Sequence, residues 1–228
     1  MSNTEEVSTE VTQVESPSAV LETDMSKRFR GYLPVVIDIE TSGFDAQTNA
    51  VLELAMITLE FTPEGQLQPK TKIHHHITPF EGAVLCEKSL AFTGIDPFNP
   101  LRGAIDEKKA LDNFIKPIKA EMKEAGCNRA IIVAHNAHFD HGFLKAAMAR
   151  CNVKRDPFHP FSSIDTASIS AIFYGQTVLA KACKAAGIEF DAKEAHSALY
   201  DTEKTAELFC KVVNDYRQLK LIAEKENQ

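Results

Sequence analysis

The amino-acid sequence predicts an α/β fold in which an antiparallel meander and parallel strands form one mixed sheet flanked by helices. Two observations predict it. Three apolar runs rich in β-branched residues follow one another at 34–40, 51–61 and 71–78, with a Thr-Pro-Glu-Gly turn before the third. A further buried run at 130–134 is bordered by segments with helical spacing. We therefore expect a three-stranded meander followed by alternating helices and strands.

The remaining elements are predicted in chain order. Residues 1–26 are mostly Ser, Thr, Glu and Val without periodicity, which is typical of a disordered tail, so 27–228 are expected to form a single folded domain. Pro and Gly residues predict short helices and loops across 80–103 and a loop across the Phe-rich segment 158–161. Helices are predicted at about 105–125, from the end of strand 130–134 to about 151, and at 166–173, 177–186 and 198–220.

Charge and cysteine content leave a nucleic-acid partner possible. The net charge is −7, but six acids and no Lys or Arg lie in residues 1–24, so the rest is close to neutral. The five cysteines are scattered without a C-x-x-C pair, which predicts reduced thiols in the cytoplasm. The sequence shows neither a signal-peptide pattern nor an apolar stretch of membrane-spanning length, so no membrane partner is expected.

The strongest indication of function is the pair Asp38 and Glu40 in an apolar run. Side chains alternate along a strand, so both carboxylates project from one face while Ile37 and Ile39 enter the core. Two adjacent buried carboxylates without a counter-charge cost free energy. A divalent metal ion is the simplest counter-charge, although a lone D-x-E on a strand is also common.

Two further clusters place a carboxylate beside an apolar element with a His nearby. Asp140 is expected on the first turn of the helix after strand 130–134, and Asp201 on the first turn of the last helix, with His196 in the loop before it. Acids at helix starts and a His in a loop are each ordinary features on their own. Taken together, four carboxylates without Cys favour Mg²⁺ or Mn²⁺ over zinc. Two such ions could bridge a phosphodiester, and His196 could deprotonate the attacking water.

Four segments resemble the DEDD exonuclease superfamily in its histidine-bearing branch, and within it the bacterial ribonuclease T family. They are IDIETSGF at 37–44, AFTGIDP at 91–97, AHNAHFDH at 134–141 and AHSALYDT at 195–202. The resemblance spans about residues 30–220. It implies a ribonuclease H-like fold and two Mg²⁺ ions, replaceable by Mn²⁺, on Asp38, Glu40, Asp140 and Asp201, with His196 as general base. It also implies a homodimer that trims the 3′ ends of tRNA and other stable RNAs, releasing nucleoside 5′-monophosphates.

The resemblance also implies that four phenylalanines grip the terminal nucleotides: Phe44, Phe92, Phe139 and Phe161. Aromatic rings stack on bases with little sequence preference. By position alone, Phe92 and Phe139 would be assigned to the core. Basic residues form three clusters, which are either solvated surface charge or a phosphate-contacting patch: Arg28 with Arg30, Lys123 with Arg129, and Lys154 with Arg155.

Three other features are expected to be structural. His74, His75 and His76 lie on a strand, so neighbours face opposite sides and all three cannot chelate one ion. Glu53 is predicted to be a sheet residue with a polar partner rather than a fifth ligand. Asp165 is predicted to cap a helix rather than take part in catalysis.

The leading interpretation is a 3′→5′ exoribonuclease that also acts on single-stranded DNA ends. One alternative is a proofreading DNA exonuclease similar to the ε subunit of a replicative polymerase, which shares the acids and the His. The Phe set and the surrounding segments favour the RNA enzyme. A second alternative is a non-catalytic nucleic-acid-binding adaptor, in which a carboxylate would be missing; none is missing here.

Overall fold

The computed structural model describes residues 21–226. Most of the predicted tail, residues 1–20, lies outside the described part. Within the remaining six tail residues, Met25 is 7% exposed and packs in the hydrophobic core. No helix within 21–226 is both long and apolar enough to cross a membrane.

One mixed sheet organises the described residues, with strand order β3-β2-β1-β4-β5. The predicted antiparallel meander is confirmed in β1 to β3, and β4 and β5 continue parallel to β1. The strands are β1 Tyr32–Thr41, β2 Val51–Phe61, β3 Leu67–His76, β4 Arg129–Ala134 and β5 Phe158–Asp165. The helices are α1 Glu87–Thr93, α2 Glu107–Glu124, α3 Ala137–Arg150, α4 Thr166–Tyr174, α5 Leu179–Ala185 and α6 Ala198–Glu226, with short 3-10 turns at Arg28–Gly31 and Pro100–Arg102.

Helices cover both faces of the sheet, and the alternation of side chains assigns each residue of β1 to one of them. Ile37 and its β2 neighbours pack against apolar side chains of α2 and α3. The opposite face, which carries Asp38 and Glu40, is covered by α6, which also bonds β3 through Asn214 and the backbone of Leu67. The core therefore has two layers, and the carboxylates of β1 face α6.

The structure corrects two predictions about the sheet. Residues 158–161, predicted to be a loop, begin strand β5, and β3 begins at Leu67 rather than at 71. Both strands contain a proline, Pro160 in β5 and Pro69 in β3, and both are edge strands. A proline is tolerated on an edge, where its missing N–H need not bond a neighbour. In β5 the pairing with β4 shifts register near Pro160, which accommodates the ring.

Candidate active site

Three chain segments converge at the carboxyl end of β1. Glu40 is 9% exposed and Asp38 is partly buried on the same face of the strand. Asp140 is 4% exposed on the first turn of α3, and backbone N–H groups of Asp140 and Ile39 point at its carboxylate. The start of α3 therefore rests against β1, and this contact brings the second acidic segment to the first.

Asp165 holds the start of α3 in place. Asn136, which precedes α3, has a left-handed backbone with φ 70°, and its N–H donates to Asp165 Oδ1 at 3.0 Å. The same oxygen accepts from the N–H of Ala167 at 2.9 Å, at the start of α4. The predicted capping role of Asp165 is confirmed, and this one carboxylate ties two helix starts together.

The third segment brings Asp201 and His196. Ligand atoms of Glu40, Asp201 and His196 lie within 4.8 Å of one another. The N–H of His196 donates to Asp201 Oδ2 at 3.1 Å, while His196 itself has a left-handed backbone, φ 67°. Its exposed ring lies 4.4 Å from the ring of Phe92, measured between centroids. The predicted loop position of His196 before α6 is confirmed.

Burial dominates the electrostatics of the four acids. It raises the pKa of Glu40 to about 8, and repulsion from Asp201, Glu53 and Asp140 adds to the effect. It also raises the pKa of Asp140 to about 8, against the two N–H groups that favour the ionised form. Desolvation raises the pKa of Asp38 well above its usual range, followed by repulsion from Asp140 and Glu40. The pKa of Asp201 is raised by burial and opposed by the N–H of His196.

The acids fit a divalent cation. Their raised pKa values show that the folded chain alone supplies too little positive charge for four carboxylates. Asp201 Oδ1 is buried and makes no hydrogen bond, as expected of an oxygen that can accept a metal. The donor set of carboxylate oxygens, with one imidazole at the edge, suits a hard ion.

An aromatic cleft of about 380 Å³ adjoins the acids. Phe44, Phe92 and Phe139 line it together with Glu40. Phe44 and Phe92 are 85% and 68% exposed, so neither belongs to the core. Phe139 is partly buried and packs against the hydrophobic core. Position alone would have placed Phe92 in the core, and the structure places it beside His196 instead. Exposed rings in a cleft that adjoins the acids are available to stack on a ligand.

The loop that carries Phe44 is fixed by an unusually close contact. A Cβ added at Gly43 would lie 2.4 Å from Asn49 Cγ. Asn49 is itself held, since its Nδ2 donates to the carbonyl of Val84 at 2.7 Å and its Oδ1 accepts from Asp45 N–H at 2.9 Å. Only glycine fits at position 43, so the turn that presents Phe44 depends on it.

The structure does not bring the remaining predicted binding residues into the cleft. Phe161 lies on edge strand β5, 80% exposed, with its ring 4.5 Å from that of His159. All six predicted basic residues lie at the other end of the sheet, before β1, β4 or β5 or at the start of β4: Arg28, Arg30, Lys123, Arg129, Lys154 and Arg155. The eight residue-to-residue steps from Tyr32 to Glu40 correspond to about 26 Å along β1. Within one chain, these cations are therefore remote from the acids.

Sequence reasoning missed the contribution of α1 to the cleft. Lys88 and Ser89 line it beside Phe92. Lys88 precedes Phe92 by four residues, a spacing that places two side chains on one face of a helix. With 87–93 in a helix, this spacing indicates that Lys88 and Phe92 face the same cleft.

The mixed sheet, the acids at the end of β1 and the aromatic cleft together define an exonuclease of the DEDD class. A family model described as "Exonuclease" matches residues 35–209. Ribonuclease T of Vibrio cholerae is 61% identical over 196 residues, which cover 86% of this chain and 88% of that protein. Ribonuclease T of Yersinia enterocolitica is 59% identical over 195 residues, covering 86% and 91%. The chain belongs to the ribonuclease T family, and it is a 3′→5′ exonuclease whose family implies divalent metal ions.

Solved structures agree with the fold. The nuclease domain of 3′hExo, a DEDDh family member bound to rAMP, superposes with a TM-score of 0.63 at 19% identity, covering 80% of this chain and 92% of that one. Exonuclease I of E. coli in complex with a dT13 oligonucleotide gives a TM-score of 0.60 at 20% identity, covering 85% and 43%. At these identities the likeness concerns the fold alone.

Proposed function

We propose that this chain trims the 3′ ends of tRNA and other stable RNAs, one nucleotide at a time, by hydrolysis assisted by two Mg²⁺ ions. One observation supports this above the others: the aromatic cleft and the cluster of four acids share Glu40. A nucleotide stacked in the cleft therefore has its phosphodiester beside the carboxylates. An enzyme that removes the last nucleotide of a chain needs this juxtaposition.

In this proposal each residue has a defined task. Asp38, Glu40, Asp140 and Asp201 hold the ions, which when bound polarise the phosphodiester and lower the pKa of water. Phe44, Phe92 and Phe139 stack on the terminal bases, each stack contributing about 1–3 kcal/mol. His196 takes the proton of the attacking water, and its loop is oriented by the hydrogen bond to Asp201 Oδ2.

The test is digestion of a 5′-labelled, 3′-tailed RNA with Mg²⁺ by the wild type, by Asp140→Asn and by Asp112→Asn. Asp112 is an exposed carboxylate on α2 paired with Lys108, so Asp112→Asn is the matched control. Several kcal/mol of metal-dependent stabilisation correspond to a loss on the order of 10³-fold in Asp140→Asn. The control should cut normally and release nucleoside 5′-monophosphates. Undiminished cutting by Asp140→Asn, or no cutting by the wild type, would overturn the assignment.

Single-stranded DNA ends are proposed as additional substrates. The rings that line the cleft offer π-faces, which every base can use and which do not contact the 2′-hydroxyl. The same digestion with a DNA oligonucleotide of matched sequence tests this. Cleavage of RNA with no cleavage of DNA would restrict the enzyme to RNA.

The remote basic residues support a homodimer in which the patch of one subunit holds the RNA that enters the active site of the other. The separation of about 26 Å along β1 argues that the basic residues do not hold RNA for the active site of their own chain. The test mixes Asp140→Asn with a second variant carrying Arg30→Ala and Arg129→Ala. In a randomly exchanged 1:1 mixture, about half of the dimers are heterodimers, and each of these has one intact active site facing one intact patch. About a quarter of wild-type activity should therefore return. If sedimentation shows dimers but the mixture recovers no activity, the patch of one subunit does not hold RNA for the active site of the other.

A further inference from the structure

A second group of potential ligands lies beside the acids on the same face of the sheet. In the strand register, Glu40 on β1 pairs with Glu53 on β2, and Glu53 pairs with His76 on β3. The next row of paired residues across the same strands contains Asp38, Ala55 and His74. The side chains of His74 and His76 therefore project from the same face of the sheet as Glu53. His75 points the other way, to Asn113 and Phe114 of α2. Because side chains alternate along a strand, only His75 is excluded from this group of potential ligands.

The three side chains are arranged as a ligand set. Glu53 Oε1 lies 2.9 Å from His76 Nδ1, and Glu53 Oε2 lies 3.6 Å from His74 Nε2. One ligand atom from each residue lies within 4.8 Å of the others. Ligands placed about 2.1 Å from a tetrahedral zinc ion are about 3.4 Å apart, so these separations need only small adjustments.

The imidazole nitrogens that face Glu53 make ion-pair contacts with it rather than well-aligned hydrogen bonds. His74 Nε2 and His76 Nδ1 are both buried and neither makes a hydrogen bond of acceptable geometry. Burial lowers the pKa of His76, whereas the neighbouring histidines lower the pKa of Glu53 in spite of its own burial. Neutral imidazole and ionised carboxylate are the protonation states that bind metals.

The local charges limit the affinity and set the type of ion. Arg102, whose Nη2 donates to the carbonyl of Leu52, acts electrostatically on both His76 and Glu53. Its positive charge opposes a cation, so the affinity should be lower than that of a four-ligand zinc site. Two nitrogen donors disfavour Mg²⁺, which prefers oxygen, and favour zinc and its neighbours in the first transition row.

We infer that Glu53, His74 and His76 form a separate binding site for a zinc-class divalent ion, distinct from the carboxylate site for Mg²⁺. The two sites adjoin through the Glu40–Glu53 pair across β1 and β2. Glu53 Oε2 also accepts the N–H of Ala198 at 3.3 Å, at the first residue of α6. An ion held here therefore lies against the start of the helix that carries Asp201.

The experiment is titration of the full-length protein with Co²⁺ in excess Mg²⁺, followed by visible absorption. Four- or five-coordinate Co²⁺ with imidazole ligands absorbs strongly, whereas octahedral Co²⁺ with oxygen ligands absorbs weakly, so the two sites are distinguished. The wild type should bind one strongly absorbing ion per chain. His74→Gln and His76→Gln should each weaken this binding at least tenfold, while His75→Gln, the matched control, should retain it.

A second measurement uses the wild-type protein and needs no variant. In the wild-type protein, Zn²⁺ should shift the ring resonances of His74 and His76 in NMR spectra and leave those of His75 unchanged. The inference is wrong if the wild type shows no strong absorption, if neither His74→Gln nor His76→Gln reduces it, or if His75→Gln abolishes it. RNA cleavage is not used as a readout, so this result and the proposed function are tested independently.

Discussion

Replacement of Glu40 by Gln should stabilise the metal-free protein as the pH rises, although it removes a proposed ligand. The pKa of Glu40 is about 8 in the folded chain because of burial and of repulsion from Asp201, Glu53 and Asp140. In the unfolded chain a Glu ionises near its ordinary value of about 4.3. Between these two values the folded state binds more protons than the unfolded state. Stability contributed by this group is therefore present at low pH and is lost as the pH rises towards 8.

The magnitude follows from the slope of that loss. One proton difference changes the free energy of unfolding by about 1.4 kcal/mol per pH unit. Because Glu40 begins to ionise in the folded chain as the pH approaches 8, it alone costs about 2.5 kcal/mol between pH 5.5 and 7.5. Gln does not ionise, so Glu40→Gln removes this pH-dependent loss of stability and also lessens the repulsion on Asp38. The free energy of unfolding should consequently fall less steeply with pH in Glu40→Gln than in the wild type.

Urea unfolding in EDTA at pH 5.5 and 7.5, followed by circular dichroism, measures this difference. Glu81, an exposed acid on a loop, provides the control variant Glu81→Gln, which should follow the wild type. Saturating Mg²⁺ should stabilise the wild type at pH 7.5, because an ion that binds only the folded state raises its stability. Equal pH slopes for Glu40→Gln and the wild type would show that burial does not control the ionisation of Glu40.

Two further predictions concern the cleft. Gly43→Ala forces a Cβ to 2.4 Å from Asn49 Cγ, so it should lower the free energy of unfolding by about 1–3 kcal/mol and raise KM for RNA. Urea unfolding checks this against Gly142→Ala, where the added Cβ meets nothing within 4 Å, and equal stability of the two variants would contradict it. Phe92→Ala should raise KM by about 5- to 150-fold through the loss of one stacked base. Steady-state kinetics should show no such rise in Phe98→Ala, a ring 75% exposed outside the lining of the cleft, and an equal rise in both would exclude stacking by Phe92.

The sequence predicted the central strands and the positions of the acids on their elements well, because both depend on local patterns. Asp38 and Glu40 could be placed on one face from alternation alone, and Asp201 could be placed near the start of α6. The edge strands were harder, since Pro69 and Pro160 are tolerated there for a reason that only the strand order reveals. The partners of Glu53 depend on β2 and β3 lying in a particular register, which no local pattern specifies.

The free-energy cost of the acids and their capacity for metal have the same physical origin. Burial of Asp140 to 4% exposure raises its pKa, and the same burial strengthens its attraction to a cation because little water screens the charge. A more exposed cluster would have ordinary pKa values and would cost the fold less, but it would hold an ion more weakly. The fold tolerates this cost because α3, β1 and α6 each contribute one part of the cluster, and Asp165 fixes the start of α3 from outside it. The sequence identifies the acids, but the cost and the affinity both depend on how deeply the sheet and helices bury them.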